Sequence, residues 1–204
     1  KEWVDLMKNS GFRYLTPVTK HHDGFVMWAT KQSDYNIMNT PFHHDWLKEM
    51  AEECRRQGII FGTYYSSQDW YQFDYSPYGH GGPGFILNRK PDFDRHVEYM
   101  KRELKGLIQD YGSEIIQFDG EWDSTWNHLR GSDMHRYLRS LRDDIVISSR
   151  VDKGRYGDGT TENYLWWDHD KYAGDYQERE QYVGGLTFAS GLSVLSSSPA
   201  SFTP

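Results

Sequence analysis

Cysteine is almost missing from this chain: Cys54 is the single one in 204 residues, which excludes an internal disulfide framework and any zinc site built from several thiolates. No apolar run approaches the length of a membrane span, so no membrane partner is expected. Basic runs are missing as well. With a net charge of -7, the electrostatic footprint of a nucleic-acid binder is absent, and nucleic acid is excluded as an expected partner. Hydrophobic residues are sparse at 37% and mean hydropathy is -0.84, although the length allows one domain with a sizeable core. Lys1 opens directly into a helical pattern with neither a starting methionine nor a signal peptide, and the native start is expected upstream.

What the chain has in quantity is aromatic. Tyr, Trp and Phe make up 16% of it, and such rings both fill cores and stack on the apolar faces of sugars. A carbohydrate partner is therefore under consideration from composition alone.

Apolar periodicity organises the rest. Trp3, Leu6, Met7 and Ser10 fall on one helical face, Gly11 is a stop, and residues 14–19 read as a short buried strand. The pattern recurs with Trp46, Leu47, Met50, Ala51 and Cys54, a stop at Gly58, and a strand over 59–65. It recurs again when Val97, Met100, Leu104, Leu107 and Ile108 lead through Gly112 to a strand over 114–118, and more weakly with 134–141 before 145–149. Helices alternating with strands over short links predict a parallel sheet, because parallel strands need crossover connections.

The residues with chemistry sit where these strands end: Lys20, His21 and His22, then Tyr64 and Tyr65, then Asp119, then Arg150. Open α/β sheets and barrels both place their sites at that edge. The glycine-rich phosphate turn of a nucleotide-binding open sheet is absent, so the expected fold class is α/β, a (β/α)8 TIM-barrel-like domain. A long loop over 66–88 brings Trp70, Tyr71, Phe73, Tyr75 and Tyr78 to the same edge, as a sugar-binding rim would. Residues 183–204 are rich in Ser, Gly and Ala without a clear period. The expected division is a barrel portion over 1–182 and an irregular tail over 183–204.

Ile115-Ile116-Gln117-Phe118-Asp119-Gly120-Glu121-Trp122 puts a carboxylate at the end of a buried strand beside a glycine that permits close approach. Glycosidases need two carboxyl groups, one to attack or to activate water and one to protonate the departing oxygen. The plain alternative is an aspartate that caps the next helix, and Glu121 and Asp123 are nearby competitors. His21 and His22 are adjacent, whereas strand ligands sharing a face are spaced by two. No metal is expected, and neutral imidazoles bonded to sugar hydroxyls are the better use of the pair; a core role for one of them is the other reading. Arg150 could orient a carboxylate through a bidentate contact, or lie at the surface. Trp166 and Trp167 fit either core or platform, and the charged run 175–180 has the composition of a solvated face.

Lys20-His21-His22-Asp23-Gly24-Phe25 resembles the histidine loop of the α-L-fucosidase family of retaining glycoside hydrolases. The likeness continues in order through Thr30-Lys31-Gln32-Ser33-Asp34-Tyr35-Asn36, Phe61-Gly62-Thr63-Tyr64-Tyr65-Ser66, Phe118-Asp119-Gly120 and Arg150. It spans residues 2–182. The resemblance implies that His21, His22 and Tyr64 bind fucose hydroxyls, that Arg150 supports the nucleophile region, and that Asp119 attacks the anomeric carbon. Gly174-Asp175-Tyr176-Gln177-Glu178-Arg179-Glu180 is similar to the family's acid/base segment, with Glu178-Arg179 where the family has Thr-Pro. Glu180 is the implied acid/base and Glu178 the fallback.

The implied activity is hydrolysis of terminal α-L-fucosyl linkages by double displacement, with a fucosylated oligosaccharide or glycoconjugate as partner and no cofactor. The family's early strand and later strands are expected outside this chain, which makes the barrel incomplete at both ends. A glycan-binding relative without turnover, or an inactive fragment, is the rival reading. An extracytoplasmic location is implied by the resemblance.

Overall fold

The computed structural model describes residues 1–75, 91–123 and 125–152, together with the backbone of 180–183 and 186–189. Helix α1 spans Glu2–Asn9, and strand β1, Tyr14–Leu15, is followed at once by β2, Val18–Lys20. Helix α2, Trp46–Gln57, leads to the longest strand, β3, Ile60–Ser66; helix α3, Phe93–Gln109, leads to β4, Ile115–Asp119; helix α4, His128–Leu141, leads to β5, Val146–Ile147. In the sheet β1 and β2 lie on one side of β3, and β4 then β5 follow on the other, all pairs parallel. Each step across the sheet passes through a helix, as the alternating pattern predicts.

The strands are where their hydrophobic runs put them, with one interruption. Residues 14–19 form two short strands, because Pro17 has no N–H to give to the ladder. Tyr64 N still donates to Pro17 O at 3.0 Å. A register shift between Val18 and Lys20 then follows. Such a bulge lets consecutive residues break the alternation of faces, and Thr19 and Lys20 are both wholly buried.

The helices bury the predicted stripes. Leu47, Ala51 and Cys54 of α2, Val97, Met100, Leu104, Leu107 and Ile108 of α3, and Met134 and Leu138 of α4 close on Phe61, Ile116, Phe118 and Ile147 of the sheet. Asp45, Asp92 and Asn127 cap the helix starts through Lys48 N, Asp94 N and Arg130 N. In α1 the buried face is rotated from the expected one. Val4 is fully buried and Met7 packs on the core, whereas Trp3 and Leu6 are 68% and 67% exposed.

Two further expectations change. Arg150 does not end a strand; it sits in a 3-10 turn, Ser149–Val151, just past β5. The reading of residues 183–204 as irregular does not hold for Leu186–Ala189 (β7), which pairs antiparallel with Glu180–Val183 (β6), Val183 opposite Leu186.

Candidate active site

Three loops meet at the carboxyl edge of β2, β3 and β4. Trp70 N donates to His22 O at 2.7 Å, tying the loop after β3 to the histidine loop. Ser67 N and Ser67 Oγ both donate to Asp119 O, at 2.8 and 2.9 Å, tying it to the end of β4. Gly120 has φ +88°, and a Cβ there would lie 2.8 Å from Gln68 Cγ and 3.1 Å from Gln68 N. The predicted glycine beside Asp119 is thus required both for its backbone and for its space.

Asp119 is the centre of the arrangement. It is the last residue of β4 and pairs in register with Ser66, while Tyr64 pairs with Gln117. Side chains two apart on a strand share a face, so Tyr64 and Ser66 both stand beside Asp119. The Tyr64 hydroxyl donates to Asp119 Oδ2. The Arg150 guanidinium donates to Oδ1, which also accepts from Gly120 N at 2.9 Å. The carboxylate is 13% exposed and Arg150 is buried. Its orientation is therefore fixed by donors from β3, from its own turn and from the turn after β5.

The histidines converge here rather than diverging. They lie past the end of β2, in a turn, so strand alternation does not govern them. Their ring centroids are 4.1 Å apart. His21 is exposed and stacks on Tyr64 with centroids 5.6 Å apart. His22 Nε2 is 3.8 Å from Asp119 Oδ2, and Nδ1 is 2.6 Å from Ser66 Oγ. Burial lowers the His22 pKa below the ordinary histidine value; Asp119 opposes this, and His21 and Arg150 add to it. Trp122 and Trp70 wall the imidazole, at 5.4 and 5.7 Å between centroids, and remain 39% and 45% exposed. Trp122 also lies under the Arg150 guanidinium, 5.8 Å from the ring centroid.

Two competing carboxylates are now separated. Asp123 accepts from Thr125 N at 3.0 Å, from Thr125 Oγ1 at 2.9 Å and from the Tyr75 hydroxyl, as a turn residue would. Glu121 is buried with Oε1 3.8 Å from Arg150 Nε, so Arg150 stands between it and Asp119. The side chain of Glu180 and the whole of Glu178 lie outside the described residues, as do Tyr78, Trp166, Trp167 and Asp175.

His21, His22 and Asp119 offer ligand atoms within 4.8 Å of one another and could hold a metal ion on distance alone. The guanidinium bonded to Asp119 argues against it, since it already supplies the positive charge that a divalent cation would bring. Ser66 belongs to no recognisable catalytic pattern in the sequence. The signal for it was its place two residues after Tyr64 on the same strand.

Fold and site together define an α/β protein with a carboxylate-centred, aromatic-walled polar site at the carboxyl edge of a parallel sheet. Residues 1–186 match the family model for alpha-L-fucosidase. The tissue alpha-L-fucosidase of Homo sapiens is 29% identical over 157 residues, 74% of this chain and 32% of the relative. An alpha-L-fucosidase of Dictyostelium discoideum is 25% identical over 154 residues, 73% of the chain and 32% of the relative. Among solved structures, alpha-L-fucosidase isoenzyme 1 from Paenibacillus thiaminolyticus superposes with a TM-score of 0.66 at 30% identity, over 74% of this chain and 38% of that one. Alpha-L-fucosidase AlfC from Lactobacillus casei, in complex with alpha-L-fucose product, gives 0.63 at 30% identity, over 76% and 52%. The chain belongs to the alpha-L-fucosidase family, and it spans about a third of the length of the curated relatives it matches.

Proposed function

We propose that the protein to which this chain belongs hydrolyses terminal α-L-fucosyl linkages of oligosaccharides or glycoconjugates with retention, and that Asp119 is its nucleophile. The observation that carries this reading is the seat of Asp119: the end of a buried strand, oriented by Tyr64, Arg150 and Gly120 N, with both histidines alongside. AlfC supports it, having been solved with fucose and, as a variant, with 4-nitrophenyl α-L-fucopyranoside.

Asp119 attacks the anomeric carbon while an acid protonates the leaving oxygen; the same group then takes a proton from water, which releases the sugar. Two inversions give retention, and the two carboxyl groups stand about 5–5.5 Å apart in such sites. Glu180 is proposed as that acid and base, with Glu178 as its fallback. His21, His22 and Tyr64 receive the sugar hydroxyls, and Arg150 holds the nucleophile. Neither step uses a metal or cofactor.

The parallel sheet is read as part of a (β/α)8 barrel within residues 1–182, with 183–204 as a tail that holds β7. Two features support this: the site lies at the carboxyl edge, as in barrel enzymes, and α1 leaves Trp3 and Leu6 uncovered.

Asp119→Gly in the full-length protein tests the reading. Hydrolysis of an aryl α-L-fucoside should be lost, and azide should restore part of it as a fucosyl azide. Full activity without Asp119 ends the proposal, and fucoside binding without hydrolysis by the unmutated protein would mark a glycan-binding relative instead.

A further inference from the structure

We infer that Ser66 fixes His22 as the Nδ1–H tautomer, so that Nε2 meets a ligand as a hydrogen-bond acceptor. Ser66 is wholly buried, and its Oγ makes three contacts: Gln68 N at 3.0 Å, Gln68 O at 2.9 Å and His22 Nδ1 at 2.6 Å. Two of these have their direction set by chemistry, since an amide N–H only donates and a carbonyl oxygen only accepts. The hydroxyl has one proton. If it pointed at His22, Ser66 Oγ would face the Gln68 carbonyl oxygen at 2.9 Å with no hydrogen between them. Given to the carbonyl, it leaves the serine oxygen to accept from Gln68 N–H and from His22. Nδ1 therefore carries the proton, and in the neutral imidazole Nε2 carries none.

Burial favours that neutral form, lowering the His22 pKa against the pull of Asp119. Nε2 then faces Asp119 Oδ2 at 3.8 Å. Two acceptors cannot bond each other, so the pair is a slot for a donor. The consequence for sugar binding rests on the fucosidase reading: the hydroxyl that meets His22 gives its proton to Nε2, and a fluorine in its place, which has no proton to give, loses the contact as a hydrogen would. Ser66 touches no ligand in this scheme. It is a positioning residue.

The tautomer can be read without any turnover. In the full-length protein labelled with ¹⁵N-histidine, two-bond ¹H–¹⁵N correlations near neutral pH distinguish a protonated from a bare ring nitrogen, and the signals missing from His22→Gln identify the residue. The expected pattern is protonated Nδ1 and bare Nε2; the reverse pattern overturns the inference. Ser66→Ala should lose the single-tautomer pattern and lower kcat/KM for an aryl α-L-fucoside by about tenfold, the worth of one hydrogen bond, and Ser66→Thr, which keeps the hydroxyl, should restore both. An unchanged Nδ1–H pattern in Ser66→Ala removes the role of Ser66. If Ser66→Ala does not fold, the unmutated spectrum and Ser66→Thr still decide. The Nδ1–H pattern in a protein without fucosidase activity leaves the tautomer standing and ends the functional reading alone.

Discussion

Lys20 Nζ is 2.9 Å from Asp69 Oδ2, with both side chains shut off from solvent. The same ammonium donates to Glu103 Oε2 at 3.0 Å and to the Tyr65 hydroxyl at 2.9 Å, and Glu103 also accepts from Tyr65 and Tyr99, each at 2.7 Å. Burial alone would lower the Lys20 pKa, but the carboxylates of Asp69 and Glu103 outweigh it and raise the pKa above its ordinary value. Lys20 immediately precedes His21 and His22, and Asp69 caps its own loop by accepting from Tyr71 N and Gln72 N. The cluster therefore locks the histidine loop to the loop after β3.

Removing one partner from such a cluster strands the others in the interior, which costs about 3–5 kcal/mol. Lys20→Met is expected to lower unfolding stability by that amount in urea denaturation. Lys20→Met with Glu103→Gln should lose less than the two single losses combined, because the second change removes a charge already stranded. Additive losses would show that the cluster does not act as a unit.

His96 makes stability sensitive to acid. It is fully buried on α3, with Nε2 3.0 Å from Ser67 O, and burial lowers its pKa to about 4 from the ordinary 6.5. Asp69 and Asp74 oppose the shift and Lys20 adds to it; Tyr75 and Tyr99 pack on the ring. Between those two values the unfolded chain binds a proton that the folded one refuses. Stability from this group is complete above pH 6.5 and falls as pH drops toward 4, by up to about 1.4 kcal/mol per pH unit. His96→Phe, less stable at neutral pH for want of the bond to Ser67, should show a shallower decline in denaturation midpoint between about pH 6.5 and pH 4. An unchanged slope would exclude His96 as its source.

Gly120 and Gly58 allow backbone strain to be separated from crowding. Both have positive φ, +88° and +72°, but a Cβ at Gly58 meets nothing within 4 Å while one at Gly120 runs into Gln68. Each change to alanine should cost about 1 kcal/mol or more from the left-handed backbone. Only Gly120→Ala should also lower kcat/KM on an aryl α-L-fucoside, because Gln68 carries the peptide groups that position Ser66. Equal activity in the two variants would contradict that coupling.

The acid and base can be assigned by leaving-group dependence. Glu180→Gln should slow natural linkages severely and aryl fucosides with good leaving groups far less, since those need little protonation. Glu121→Gln, next to Arg150, should affect both alike. The opposite result would move the role to Glu121.

Much of this was legible from residue pattern. The stripes of α2, α3 and α4 and the strands before Ser66 and Asp119 follow directly from apolar spacing, and the site gathers at the predicted strand ends. The stripe of α1 misled, because Trp3, Leu6 and Val4 are all apolar and periodicity does not say which neighbour they face. The burial of Lys20 could not be read, since it depends on a bulge against β3 and on Glu103, far along the chain. The convergence of His21 and His22 on Asp119 was hidden for a similar reason: a two-residue alternation applies within a strand, and the pair lies just past one. That Ser66 stands beside Asp119 needed the register of β3 on β4, and setting Glu121 and Asp123 apart from Asp119 needed Arg150, Tyr75 and the turn at Thr125.

The most direct measurement is mass spectrometry of the full-length protein after reaction with a 2-deoxy-2-fluoro-α-L-fucosyl fluoride, whose fluorine slows release of the glycosyl-enzyme. The expected result is one added deoxyfluorofucosyl unit, mapped to the peptide containing Asp119 and absent from Asp119→Gly. A label on Glu121 or any other carboxylate, with Asp119 unmodified, would contradict the assignment of the nucleophile.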